Sequence, residues 1–406
     1  FMSGPIKILH CADLHLGSEL TSTMDSSISR DISAKERRQE LLSTFRKICN
    51  ICRDEHVDLL LIAGDLFEGS NVDDATIQSV KEYLGDIGDT IAAISPGNHD
   101  YVSIDSPYSH IDWPDNVIIF RSALETIKFE DKGFSVSGAG FTGTYQRDSL
   151  LKCVEELNSE LVNICVMHGD LASLSNESLY NPLTEYQIQN SGFDYLALGH
   201  IHKRSEVLHA GSSYYAYSGC PDGRGFDELG PKGVYIGTVS KNRVNLHFRP
   251  ICSRMYLTEE IDISQLESES QIKEYCLSQL EKRFGEDFYI HFYKLILTGY
   301  IPEGFILPLD SLSNVLKEKL HFAKLQDRTH VEFDYEKLAK ESSLRGIFVR
   351  KMLERIEKAK VEDSNKSEDN NDFIKESDKL GKALELGLMA FEGEVKLDDY
   401  EATIYR

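Results

Sequence analysis

The chain is short of positive charge. Its 44 lysines and arginines stand against 67 aspartates and glutamates, a formal net charge of −23. That balance excludes a surface basic throughout, and with it the salt-driven coating of nucleic acid such a surface supports. It leaves room for phosphate held locally, by a metal site or a confined basic groove. No apolar run is long enough to span a bilayer and no signal peptide is seen, so a cytoplasmic, reducing location and no membrane contact are expected. Phe1 before Met2 is not a natural start and is expected to be foreign to the protein. The eight cysteines, Cys11, Cys49, Cys52, Cys153, Cys165, Cys220, Cys252 and Cys276, are scattered. Cys49 and Cys52 form a Cys-x-x-Cys inside a helical stretch, with no second pair at zinc spacing. They read as small core hydrophobes, with no redox or zinc role. No internal repeat is present.

What is there is enough apolar material for two or three domains: 406 residues, 41% of them hydrophobic. Residues 6–250 alternate short apolar runs with amphipathic stretches. Strands are expected at IKILHC (6–11), VDLLLIA (57–63), IAAIS (91–95), VIIF (117–120), VNICVM (162–167) and YLAL (195–198). Strand-like runs with turns cover 127–141. Helices are expected over 35–55, 73–87 and 147–161. Strand alternating with helix indicates a layered α/β domain. Between 205 and 250 the pattern changes to Gly-punctuated β runs, expected to complete a second sheet. Residues 251–335 read as a smaller α+β unit, 336–360 as a helical segment, 361–378 as an acidic linker. A final amphipathic helix and tail occupy 379–406, with Leu380, Leu384, Leu388 and Phe391 at helical spacing.

The segment GAGFTG (138–143) matches Gly-x-Gly-x-x-Gly between a strand and a helical pattern. A dinucleotide site also needs an acidic residue at the end of the next strand. His168 stands there, so the glycines are read as turn residues.

Polar clusters end one apolar run after another. Asp13-Leu14-His15 follows the first, Gly64-Asp65 the second, Asn98-His99-Asp100 the third; His168 and Gly199-His200-Ile201-His202 end two more. In open α/β sheets this carboxyl edge is where ligands bind. Asp13/His15 and His200/His202 are spaced by two, which on extended backbone turns both side chains to one side. The donors are oxygen and imidazole nitrogen, with no thiolate, a set suited to Mn²⁺, Fe or Zn²⁺. Seven donors exceed what one tetrahedral ion needs; two ions about 3.5–4 Å apart would use them. The remaining histidines, His10, His56, His110, His209, His247, His291, His321 and His330, are read as ordinary core or surface residues.

In order and spacing these five blocks resemble the calcineurin-like metallophosphoesterases, over roughly residues 6–250. The resemblance implies a four-layer αββα sandwich and two divalent ions, Mn²⁺ before Fe or Zn²⁺. Carried over position by position, Asp13, His15 and His202 bind one ion, Asn98, His168 and His200 the other, and Asp65 bridges them. It implies that His99 faces the substrate phosphate and that Asp100 orients His99.

ILHCADLHLG, DLLLIAGDLFEGS, LALGHIHKR and 215–239 further resemble the SbcD/YhaO-like branch of DNA repair exonucleases. That implies DNA as substrate, a capping domain at 251–335, and an SMC-like ATPase partner for the helices at 344–360 and 379–392. It is compatible with a homodimer. Glu68 stands where many double-strand-processing members carry a histidine. Lys203, Arg204 and Arg224 are candidates for phosphate contact. Two rival readings stand beside the nuclease: a phosphoesterase for small nucleotides or phosphoproteins, and a scaffold for the ATPase with a vestigial metal site.

Overall fold

A computed structural model of the protein describes residues 4–18, 34–69, 72–152, 157–171, 178–364 and 375–392. It divides into two compact units, Phe1–Leu257 and Thr258–Arg406.

The first unit is built on two six-stranded sheets. One is made of β1 Ile6–Cys11, β2 Leu59–Ile62, β3 Ile91–Ile94, β4 Val117–Ile119, β11 Gly233–Ser240 and β12 Arg243–Pro250, in the order β12-β11-β1-β2-β3-β4. The other is made of β5 Glu125–Phe129, β6 Phe134–Gly138, β7 Val162–His168, β8 Tyr195–Gly199, β9 Leu208–Ala210 and β10 Ser213–Tyr217, in the order β5-β6-β7-β8-β10-β9. Each sheet has four parallel strands in a row, with antiparallel strands beside them.

Strand periodicity explains the layering. Successive side chains point to opposite faces, and both faces of the central strands are buried. Ile6 and Ile8 of β1 and Leu59 and Leu61 of β2 pack with Val162, Ile164 and Val166 of β7, forming the seam between the sheets. Their neighbours Leu9, Cys11, Leu60 and Ile62 face the other way, onto Leu41, Phe45, Ile48 and Cys52 of the helix Ala34–Asp54 and Ile77, Val80 and Leu84 of the helix Asp74–Gly85. Each such aliphatic side chain removed from water contributes about 1.5–3 kcal/mol. Asp73 starts the second helix by accepting from Thr76 N at 2.9 Å. On the outer face of the second sheet, Cys165, Met167, Leu196 and Leu198 pack with Leu183, Ile188 and Phe193. This mixed α/β sandwich agrees with the expected fold class.

Two expectations need correction. Residues 233–250 join the first sheet, not the second: β11 pairs antiparallel with β1, Ile6 opposite Val239 and His10 opposite Tyr235. The apolar residues of β11 alternate onto both sides of that sheet, which a position beside β1 satisfies. The helix expected over 147–161 is absent from its described residues, 147–152 and 157–161. The segment is held instead by Gln146, bridged to Tyr180, and by Leu150 N, which donates to Asn181 Oδ1 at 2.6 Å. The outer cover of the second sheet therefore includes the short helix Glu185–Gln189 and loops.

Two glycines of GAGFTG, Gly138 and Gly140, serve close approach. A side chain on Gly138 or Gly140 would overlap Phe120. Cys11, Cys49 and Cys52 are buried together in the core, and burial raises their thiol pKa values.

The first unit extends past Pro250 because its backbone stays bonded. Ile251 N donates to Lys232 O at 3.0 Å and Gly230 N to Tyr256 O at 2.9 Å. The second unit contains most of a three-stranded sheet of β13 Tyr256–Asp262, β14 Phe292–Thr298 and β16 Phe322–Asp327, in the order β13-β14-β16. It also holds a strand pair, β15 Tyr300–Pro302 and β17 His330–Glu332. Helices Glu269–Phe284 and Leu309–Lys317 accompany them. The helices Leu344–Ser364 and Glu376–Glu392 share a core of Val349, Met352, Ile356, Leu384 and Leu388. Both run into the stretch expected as an acidic linker. Of that stretch 365–374, and of the tail 393–406, lie outside the described residues. Among the described residues no helix is long and apolar enough to cross a membrane.

Candidate metal centre

The loops leaving β1 and β2 stay zipped beyond the strands. Asp13 N donates to Gly64 O at 3.0 Å, His15 N to Asp65 O at 2.9 Å and Leu16 N to Leu66 O at 2.9 Å. This places Asp13, His15 and Asp65 side by side at the carboxyl edge of the first sheet. The second sheet delivers His168, the last residue of β7, in register with Gly199, which precedes His200.

The extended backbone expected for the i, i+2 pairs is not what the chain uses. Asp13 has φ 54°, His15 47°, Asp65 50° and His200 101°. Left-handed backbone at non-glycine residues is strained and concentrates where function over-determines geometry. A strand keeps climbing away from the edge; the left-handed turn brings consecutive loop residues back over it. Gly64, φ 92°, sits where any side chain would overlap the His168 ring.

Among the described residues three triplets offer ligand atoms all within 4.8 Å of one another: Asp13, His15 and His202; Asp13, Asp65 and His168; and His15, Asp65 and His99. Asp65 Oδ2 lies 3.7 Å from His15 Nε2 and 3.4 Å from His168 Nε2, between the two groups of donors. Asn98 Oδ1 is 2.9 Å from His168 Nε2. His200 lies outside the triplets; its backbone N–H donates to Asp13 at 3.0 Å, and its ring meets His168 edge-on, centroids 5.2 Å apart.

The hydrogen bonds around the rings settle which nitrogens face inward. His15 Nδ1 is 2.6 Å from Glu68 Oε2, His202 Nδ1 2.6 Å from Glu228 Oε1, and His168 Nδ1 2.9 Å from Ala63 O. All three partners accept only, so each Nδ1 carries the proton. In its neutral form each ring then presents a bare Nε2 lone pair. His15 Nε2 faces His202 Nε2 at 3.3 Å, and His168 Nε2 faces Asn98 Oδ1 and Asp65 Oδ2. Lone pairs converging on lone pairs call for positive charge between them, so the residues present fit divalent cations.

Two carboxylates that the sequence pattern does not assign to the site hold this arrangement. Burial alone would raise the Glu68 carboxyl; hydrogen bonds from His15 and His99 outweigh it and hold it well below the usual carboxylate range. Glu228 is likewise opposed by burial but brought down to about 2 by His202 and Arg224. Arg224 joins the two, Nη1 donating to Glu68 Oε2 at 3.3 Å and Nη2 to Glu228 Oε1 at 3.4 Å. Glu68 was legible only as a departure three residues after Asp65. Glu228 had no signal, since its partner His202 is 26 residues away.

The role expected of Asp100 is corrected. Its carboxylate accepts from the backbone N–H groups of Gly97 at 2.7 Å, Asp65 at 3.2 Å, Leu66 at 2.8 Å and Phe67 at 3.2 Å, and from Tyr108 OH at 2.6 Å. Thus Asp100 pins two site loops together, and it is Glu68 Oε1 that holds His99, 2.8 Å from Nδ1. That hydrogen bond raises the His99 pKa against the burial that lowers it. Of the histidines here His99 is the most open, its side chain 44% exposed. Arg204 is turned away, its guanidinium over the Phe248 ring at 4.5 Å. Lys203 is exposed.

The calcineurin-like phosphoesterase family matches residues 6–204. The uncharacterized metallophosphoesterase YhaO of Bacillus subtilis is 28% identical over 342 residues, 81% of this chain and 79% of that one. The DNA double-strand break repair protein Mre11 of Saccharolobus solfataricus is 26% identical over 266 residues, 60% of this chain and 65% of that one. The SbcD component of the nuclease SbcCD of Staphylococcus epidermidis is 25% identical over 366 residues, 80% of this chain and 89% of that one. Residues 6–204 of this chain are a calcineurin-like metallophosphoesterase domain, whose homologues include YhaO, SbcD and Mre11.

Proposed function

We propose that the protein is a divalent-metal-dependent phosphodiesterase that cleaves DNA. The observation that carries this reading is Asp65, whose carboxylate lies between His15 and His168 and so between two sets of inward-facing donors. In this reading Asp13, His15 and His202 hold one ion, Asn98, His168 and His200 a second, and Asp65 both. Two such cations, Mn²⁺ foremost, would make water acidic and neutralise charge on a bound phosphodiester.

The protein's own residues do the rest. Glu68 and Glu228 fix the tautomers of His15 and His202, so their Nε2 atoms stay available. His99, open to solvent and held by Glu68, is placed to meet the phosphate and to give a proton to the leaving oxygen. Asp100 keeps the Gly97 and Asp65 loops in register. The kinship with Mre11 and SbcD supports DNA as the substrate and an SMC-like ATPase as the partner of the helices 344–364 and 376–392, with 251–335 as a cap. The open histidine and the intact donor set speak against a scaffold.

The test is hydrolysis of bis-p-nitrophenyl phosphate and of single- and double-stranded DNA with Mn²⁺, wild type beside His99→Ala. Cleavage of both diester classes, lost in the variant, is expected. Activity confined to monoesters would replace the reading with a small-nucleotide or phosphoprotein phosphatase.

A further inference from the structure

An aromatic row leads from the metal centre to the surface. The Tyr180 ring lies over His200 with centroids 4.7 Å apart and planes 35° from parallel. Tyr145 continues the row, 5.8 Å from Tyr180 at 42°. Tyr180 is half-buried, whereas Tyr145 is 56% exposed, so its ring face is open to a ligand.

The row is built by backbone. Gln146, beside Tyr145, bridges Tyr180, and Gln146 N donates to Leu179 O at 2.8 Å. Asp170 N donates to Tyr180 O at 3.0 Å. Asn181 follows with φ 48°, its Nδ2 donating to His168 O at 2.7 Å and its Oδ1 accepting from Leu150 N. Two distant loops are thus locked to each other and to the strand carrying His168. With the backbone fixed in this way, the rings have only their own side-chain rotation to lose when a flat ligand stacks on them. Arg147, exposed two residues after Tyr145 in the chain, is the nearest cation in that loop's sequence.

We propose that Tyr145 and Tyr180 form a stacking platform for the nucleobases of a single-stranded nucleic acid end, which guides the neighbouring phosphodiester to the metal centre. This rests on the nuclease reading and deepens it. Every base has a π-face, so the platform tolerates any sequence, and a fully paired duplex cannot use it until its end frays.

The test is equilibrium binding, by fluorescence anisotropy in EDTA, of a labelled single-stranded oligonucleotide and of an equally long strand of abasic residues. The wild-type chain should prefer the base-bearing strand by about 5- to 100-fold. Tyr145→Ala should bring the two affinities together, and Tyr145→Trp should retain the preference; thermal melting checks that each variant is folded. A wild-type chain with no preference, or a preference surviving in folded Tyr145→Ala, overturns the platform. So does displacement of the strand by a tyrosine phosphopeptide with no base preference, which would point to a protein ligand. Base preference without Mn²⁺-dependent DNA cleavage would sink the nuclease reading alone; cleavage without base preference would sink the platform alone.

Discussion

His15 Nε2 and His202 Nε2 face each other at 3.3 Å, although the two residues are 187 apart in the chain and each ring's other nitrogen is bound to a carboxylate. Neither nitrogen can donate to the other in the neutral state. Cations should therefore stabilise the fold. Mn²⁺ at 100 times its dissociation constant should add about 2.7 kcal/mol, read as a rise in melting temperature that EDTA reverses. Asp65→Ala should remove most of the rise.

Glu68 touches two histidines with its two oxygens, so it couples a metal-ligand candidate to the open His99. Glu68→Ala should weaken Mn²⁺ affinity by about 10- to 100-fold and reduce turnover of bis-p-nitrophenyl phosphate at saturating metal. Calorimetric titration with Mn²⁺ separates the two effects. Unchanged affinity and turnover would show that His15 and His99 are held by their surroundings alone.

Tyr108 is buried, and its hydroxyl bonds the Asp100 carboxylate at 2.6 Å. Tyr108→Phe should cost about 1–3 kcal/mol in urea denaturation, with the metal-dependent shift kept. Asp100→Ala leaves four backbone N–H groups without their acceptor and should cost more than Tyr108→Phe.

Gly64→Ala puts a Cβ into the His168 ring at a left-handed position. The strand cannot yield, so the expected result is a folded but metal-deficient protein, or one that fails to fold; wild-type Mn²⁺ binding would contradict it.

Burial holds His10 neutral, lowering its pKa from 6.5 to about 3. Its Nε2 donates to Leu198 O at 3.1 Å and its Nδ1 accepts from Tyr195 OH at 2.8 Å. The unfolded chain takes up a proton near its ordinary value and the folded chain does not, so acid favours unfolding. Stability complete above about pH 6.5 should fall by about 1.4 kcal/mol per pH unit from there toward 3. The His10→Gln variant should show a shallower acid limb in denaturant titrations across that window.

Sequence alone determined which candidate donors stand at the strand ends. Residues such as Asp13, Asp65 and His168 directly follow or end apolar runs, and a strand's buried alternation is a local property readable over a few residues. It also determined that the set is oxygen and imidazole rather than thiolate. Only tertiary structure decided the rest. That 233–250 pairs with β1, that Asp100 clasps loops while Glu68 holds His99, that Glu228 fixes His202, and that Tyr145 lies beside Tyr180 are all consequences of which loops meet. Such meetings depend on sheet order and on left-handed turns at the edge, and nothing within a few residues of any partner encodes them.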